Sequence, residues 1–214
     1  MGGLSQFRGN NCFQFILQKL QNPIGKQIRP GAVNNEQVFI NVDQADVYGI
    51  ELELRKNLGF ISSMLNDFNI GTNVSLTASQ VNIEPSELAN IRSVSPSRED
   101  NRPLFGQSPF LINAYLNYDN YESGWSANAN FNIFGERLVV AVGKGAPDIF
   151  EQPRASLDIT VSKRLGERFS LRFRGTNLIN PEYKLTQDFK GNENVYEAYR
   201  VGRNFSLGLS YAIE

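Results

Sequence analysis

The chain has 214 residues, 41% of them hydrophobic and 11% aromatic, enough for one sizeable core and too apolar for a disordered polymer. Its 21 Lys and Arg balance 22 Asp and Glu, so it lacks the basic field that would hold a nucleic-acid backbone. One cysteine, Cys12, and no histidine exclude disulfide frameworks, Cys/His zinc sites, Ser-His-Asp triads and imidazole bases; neither an enzyme nor a bound cofactor is expected. No apolar run approaches the ~20 residues a transmembrane helix needs. Residues 1–20 also lack the basic start and apolar stretch of a signal peptide, so no export signal is expected within the chain.

Apolar residues recur every second position, and in chain order eight segments show this: 11–20, 37–55, 67–80, 109–119, 124–142, 154–164, 168–178 and 202–213. In the second, Tyr48, Ile50, Leu52 and Leu54 oppose Gly49, Glu51, Glu53 and Arg55. In the fifth, Trp125, Ala127, Ala129, Phe131 and Ile133 oppose Ser126, Asn128, Asn130 and Asn132. In the seventh, Phe169, Leu171 and Phe173 oppose Ser170, Arg172, Arg174 and Thr176, and in the last Phe205, Leu207, Leu209, Tyr211 and Ile213 oppose Ser206, Gly208, Ser210 and Ala212. Segments of this length exceed the usual strand of about 5–6 residues. Residues 1–10 fit the pattern least.

The connections tend to alternate in length. Those at 56–66, 120–123 and 165–167 are shorter, whereas 21–36, 81–108, 143–153 and 179–201 are longer and rich in Pro, Gly, Asn and charge. Short turns at one rim and long loops at the other are the layout of an outer-membrane barrel, although 56–66 is no shorter than 143–153. The expected fold is therefore all-β, an antiparallel transmembrane β-barrel segment of about eight strands. A stand-alone closed eight-stranded barrel, with 11–20 paired to 202–213, and a soluble secreted β-sandwich that binds a ligand are the alternatives.

A strand crosses hydrocarbon only if its backbone groups are paired sideways and its outward face is apolar across a band of ~25 Å with aromatic borders. Tyr118, Tyr121, Trp125 and Tyr211 lie near short turns or the chain end, where such a membrane-interface belt would fall. Glu51, Glu53, Arg55, Arg172 and Arg174 would face the lumen; no nucleophile and base converge on them. Gly143-Lys144-Gly145 is too short for a phosphate-cradling loop. The glycosylation triplets beginning at Asn73 and Asn204 fall inside strands. Asp148 and Glu151 are expected to be solvated loop residues.

Several phrases resemble the barrel of TonB-dependent outer-membrane receptors, with a flavour of members from Bacteroidetes. They are Asn41-Val42-Asp43 with Val47-Tyr48-Gly49-Ile50-Glu51-Leu52-Glu53-Leu54; Gly106-Gln107-Ser108-Pro109-Phe110-Leu111-Ile112-Asn113-Ala114; Pro147-Asp148-Ile149-Phe150-Glu151-Gln152-Pro153-Arg154; Leu157-Asp158; Asn177-Leu178-Ile179-Asn180-Pro181; and the ending 202–211. The resemblance implies that residues 1–214 form the C-terminal part of a barrel of about 22 strands, an incomplete segment without the plug domain, with an atypical start at 1–10. It also implies a bacterial outer-membrane location and contact with outer-membrane lipid. The implied activity is energy-coupled import of a scarce nutrient, such as siderophore-bound iron, a cobalamin-like cofactor or a glycan, which the segment would not perform alone. A plug domain and a periplasmic energy-coupling protein would be its partners in the full-length receptor. The barrel-assembly machinery would read Phe205, Leu207, Leu209 and Tyr211 as a C-terminal insertion signal by strand addition, although the chain ends Ile213-Glu214 and not on an aromatic. Long loops 81–108 and 179–201 would offer Arg92, Arg98, Arg102, Tyr183, Tyr196 and Tyr199 to ligand.

Overall fold

The computed structural model describes residues 5–7, 11–28, 36–143 and 146–213. In chain order its strands are β1 (Ser5–Phe7), β2 (Asn11–Gln21), β3 (Ile24–Ile28), β4 (Gln37–Asn41), β5 (Gln44–Asn57), β6 (Phe68–Asn82), β7 (Asn101–Arg102) and β8 (Phe110–Asn120). There follow β9 (Trp125–Phe134), β10 (Arg137–Val142), β11 (Ile149–Glu151), β12 (Arg154–Leu165), β13 (Phe169–Thr176), β14 (Tyr183–Phe189), β15 (Asn192–Tyr199) and β16 (Asn204–Tyr211). One helix, α1 (Pro85–Arg92), lies between β6 and β7.

The wall is a curved sheet in the order β1-β2-β5-β6-β8-β9-β12-β13-β16, antiparallel throughout, with β7 added at the outer end of β6. Its eight long strands match the eight alternating segments. Among the described residues the sheet does not close: β2 pairs with β1 and β5, and β16 pairs only with β13. The closed eight-stranded ring is therefore not the fold. The chain forms a partial, open barrel, and β1 shows that part of the atypical start adds to the β2 edge.

Segments 37–55 and 124–142 each divide into two strands that serve different sheets. The longer connections are not irregular, because β3, β4, β10, β11, β14 and β15 form a second sheet in the order β15-β14-β11-β10-β3-β4. Three wall hairpins continue past the rim, bend, and join edges. Strands β3 and β10 both run outward, so where they meet the pairing is parallel, Ala141 opposite Gln27 and Val142 opposite Ile28.

The bends are built by turn chemistry. Asn22 takes φ 51, and the ladder resumes on either side through Asn22 N–H to Asp43 O and Val42 N–H to Pro23 O, both 3.0 Å. Asn177 and Asn180 also have positive φ, a conformation asparagine tolerates better than most residues. The Asn177 side chain donates to Gly202 O at 2.5 Å, while the Asn180 side chain accepts from Gly202 N–H at 3.0 Å.

The buried core belongs to this outer layer. Leu138, Val140, Ala141, Val142, Ile149 and Leu185 are buried in the second sheet, and Ala45, Val47, Val81 and Phe134 lie at the outer ends of wall strands. Segment 104–108 tucks beneath, with Gly106 N–H donating to Leu138 O at 2.8 Å and Ser108 Oγ to Gly135 O at 3.0 Å. It presses the Phe105 ring against Gly25, where a Cβ would stand 2.5 Å from the ring edge.

Candidate functional site

The outward face of the wall carries the apolar residues of every long strand. Tyr48, Ile50, Leu52, Leu54, Phe173, Phe205, Leu207 and Leu209 are all more than a third exposed. Toward the short-turn rim this face ends in aromatics. Phe68 and Tyr118 stack at 4.8 Å, Phe169 and Tyr211 at 4.8 Å, and the Trp125 ring carries the Lys163 ammonium at 4.9 Å. Phe68 and Phe169 were not anticipated, although each opens its strand at the same rim. Tyr121 sits in the turn itself, 81% exposed, beneath the Arg164 guanidinium. Phe205, Leu207, Leu209 and Tyr211 share one face of β16, whose far edge has no partner among the described residues.

The concave face is polar, and across β6, β8 and β9 it is uncharged between the rims, with Asp158 of β12 opposite Asn130. Register lines up Asn73, Asn113, Asn132 and Ser156 in one row and Asn69, Asn117, Asn128 and Thr160 in another. Asn132 donates to Asn113 at 2.7 Å, and Asn128 donates to Asn117. These rows give a surface of paired amides, each still holding donors or acceptors for another molecule. Above them a cleft of about 1090 Å³ runs under the second sheet, bordered by Gln14, Glu51, Ser75, Gln107, Asn132 and Arg137.

The charges expected in the lumen do lie on this face but not together. Arg55 pairs with Glu53 on β5, and Arg172 sits opposite Ser162 on β13 with Arg174 two positions on. Four strands separate the groups, about 24 Å along the sheet at ~4.8 Å per step.

The strongest electrostatic structure lies in the outer layer. Asp148 is 6% exposed and Glu151 4%, which corrects the expectation of solvated loop residues. Asp148 accepts from Arg98 Nη2 at 3.0 Å and from Val142 N–H at 2.9 Å, with Arg102 Nη1 at 3.7 Å. Arg102 in turn donates to Glu87 of α1 at 2.6 Å. Glu151 accepts from Arg137 at 2.6 and 2.8 Å and from Arg154 at 3.0 Å, and both guanidiniums lie against the Phe134 ring. A carboxylate this buried needs such charge-assisted bonds to offset its lost hydration.

Of the residues expected to meet ligand, Arg102 is thus buried as a structural cation. Arg92 donates to Arg98 O at 3.0 Å, and Arg98 borders a cavity of about 330 Å³ with Asp148, Phe189 and Lys190. Tyr183 stacks on Tyr199 at 4.7 Å. Burial, then the nearby Glu151 carboxylate, raises the Tyr183 phenol above its ordinary pKa. Tyr196 is exposed. The adjoining Lys144 and Gly145 lie outside the described residues.

Residues 16–178 match the family model described as TonB dependent receptor-like, beta-barrel. The chain belongs to this family. Among solved structures it is similar to the copper transporter OprC, with 15% identity and a TM-score of 0.61, over 97% of this chain and 30% of that one. It is similar to the ferric citrate transporter FecA in its unliganded form, with 12% identity and a TM-score of 0.61, over 96% and 29%. For a mutant of the ferric enterobactin receptor PfeA from Pseudomonas aeruginosa the values are 15% identity and a TM-score of 0.57, over 97% and 30%. The chain thus spans about 30% of the length of these structures. No curated protein sequence matches it. Family and barrel fold place the chain in the bacterial outer membrane, with the short turns at the periplasmic rim.

The phrases that carry the family resemblance cluster where the wall meets the outer layer. Asn41 and Asp43 hold the first bend, Gly106 and Ser108 the tucked segment, Asp148 and Glu151 the two buried ion clusters, and Asn177 and Asn180 the third bend. These backbone and side-chain bonds tie the wall to the roof.

Proposed function

We propose that residues 1–214 are the C-terminal barrel segment of an energy-coupled outer-membrane receptor that imports a scarce nutrient. The supporting observation is the pairing of a concave face lined by amides across β6, β8 and β9 with an ion-locked roof over a cleft of about 1090 Å³. An importer needs a wall that another domain can line without trapping charge, and an outer surface stiff enough to hold a ligand. The Asn rows would meet the plug domain, which a periplasmic energy-coupling protein displaces. Glu51, Glu53 and Arg55 on one side and Asp158, Arg172 and Arg174 on the other flank that strip.

The ligand would contact the roof around Arg98, Lys190, Tyr196 and Tyr199. Siderophore-bound iron, a cobalamin-like cofactor and a glycan are the classes considered, and the likeness to proteins named for copper, ferric citrate and ferric enterobactin favours metal or metal chelates. Phe68, Tyr118, Trp125, Phe169 and Tyr211 form the lipid-interface girdle, and Phe205 to Tyr211 on β16 supply the strand that assembly machinery captures. Deleting the gene and following uptake of labelled ferric siderophore, copper, cobalamin and oligosaccharide tests the reading. Energy-dependent uptake of one of them should disappear; unchanged uptake of all four would overturn it.

A further inference from the structure

The connection between β5 and β6 is the outlier among the short turns, and its composition explains why. Between Lys56 and Asp67 stand ten residues without a charge, and Phe60, Ile61 and Met64 are 67%, 63% and 87% exposed. A floppy apolar loop would be an aggregation hazard, but this one is built. Two 3-10 turns, Leu58–Phe60 and Ser63–Leu65, are capped by the Asn57 and Ser62 side chains, which accept from Gly59 N–H and Met64 N–H. Asn57 Nδ2 also donates to Asn66 O at 2.6 Å and Phe68 O at 3.1 Å, closing the base. Five backbone N–H groups, of Gly59, Ile61, Met64, Leu65 and Asn66, are bonded within the turn, so the apolar tip is held outward at little further ordering cost.

The tip continues the lipid side of the wall. Lys56 follows Leu52 and Leu54 at the same parity on β5 and faces Ile70 across the ladder, which puts it on the outward face. Its ammonium reaches the Phe60 ring at 5.4 Å, so Phe60 lies on that side, as does the Phe68–Tyr118 pair. From β5 to β16 the outward positions nearest this rim hold Lys56, Phe68, Tyr118, Asn120, Trp125, Lys163, Leu165, Phe169 and Tyr211 and no carboxylate. Asp67 and Asp119 have the opposite parity. Aromatics and cations without acids suit a layer of lipid phosphates.

We propose that residues 57–66 are an interfacial foot, which seats Phe60, Ile61 and Met64 in the headgroup region of the periplasmic leaflet with Lys56 at a lipid phosphate. The inference rests on reading the outward face as lipid-facing, and the experiment separates the two. Trp125 is the only tryptophan, so its quenching by brominated phospholipid in vesicles reports whether the wall sits in lipid. Phe60→Trp in a Trp125→Phe background reports the foot. The expected result is quenching by lipid brominated near the headgroup and at least fivefold protection from aqueous iodide at both positions. Quenched Trp125 with a Trp at position 60 open to iodide would overturn the foot alone; unquenched Trp125 would overturn the lipid-facing wall and the foot with it. Met64 gives a second readout in the unaltered chain: oxidation by chloramine T should be at least fivefold slower than that of free methionine in the same vesicle suspension. A rate within twofold of free methionine would overturn the proposal even where the tryptophan variant fails to fold.

Discussion

Asp148→Ala should loosen the roof while leaving the wall intact. The substitution removes three relations at once: the 3.0 Å bond from Arg98, the 3.7 Å ion pair with Arg102 and the 2.9 Å bond from Val142 N–H. Arg98 is about one-third exposed, so its share is small after solvent screening. Arg102 is 4% exposed and would keep Glu87 alone, and a buried pair broken on one side costs about 3–5 kcal/mol. The orphaned Val142 N–H accounts for about 1–3 kcal/mol of that range. Hydrogen exchange of the Val142, Ile149 and Leu185 amides should therefore speed up about a hundredfold or more, at ~1.4 kcal/mol per tenfold. Exchange of Asn113 and Leu171 in the wall should not move. Asp148→Asn, which keeps an acceptor for Val142, should fall between. Roof amides exchanging within threefold of the unaltered protein would refute the claim that this ion cluster holds the layer.

Three further outcomes follow from the same geometry. Leu52→Lys should lower the folded fraction in vesicles, since a cation on the lipid face costs about 2–4 kcal/mol near the bilayer centre, whereas Glu53→Lys on the concave face should be tolerated; urea titration in lipid compares them. Gly25→Ala should destabilise by about 1–3 kcal/mol through overpacking against Phe105, and Phe105→Leu should restore part of the loss in the same titration. The Tyr183 phenol is raised above the ordinary value of 10.0 by burial and Glu151, so the neutral form is favoured in the fold. Its stabilisation is fully present below pH 10 and is lost as pH rises through the raised value; an alkaline stability profile should flatten in Tyr183→Phe, and an unchanged profile would contradict the assignment.

The wall was legible in the sequence because hydrocarbon demands strict alternation. Leu52 and Leu54, or Leu207 and Leu209, cannot be displaced by one position without turning a whole strand inside out. The roof was hidden for the opposite reason. Strand β15 exposes all eight residues and β11 has three, so neither shows a periodic face. The parallel meeting of β3 and β10 is non-local and leaves no local sign. Asp148 is buried by Arg98, fifty positions away, and only the folded path reveals that partnership. Helix α1 did carry its signals, Pro85 in the first turn, Glu87 beside it and Arg92 in the last, but eight residues are too few for a periodic stripe. The girdle was half visible: Tyr118, Trp125 and Tyr211 flank short turns or the chain end, whereas Phe68 and Phe169 need the register to join them.

The two layers draw their stability from different solvents. Among the described residues every buried apolar side chain lies in the outer layer or at the outer ends of the wall strands, and none lies toward the short-turn rim. There the wall exposes apolar residues on one face and amides on the other, so burial cannot hold it in water, and only hydrocarbon makes its outward face favourable. The roof is held by contacts within the protein, its ion pairs and its core of Val140, Val142, Ile149 and Leu185. Leu52→Lys should consequently matter in vesicles and little in detergent-free solution, while Asp148→Ala should loosen the roof amides equally in both. A roof whose exchange depended on lipid as strongly as the wall's would show the layers to be one cooperative unit.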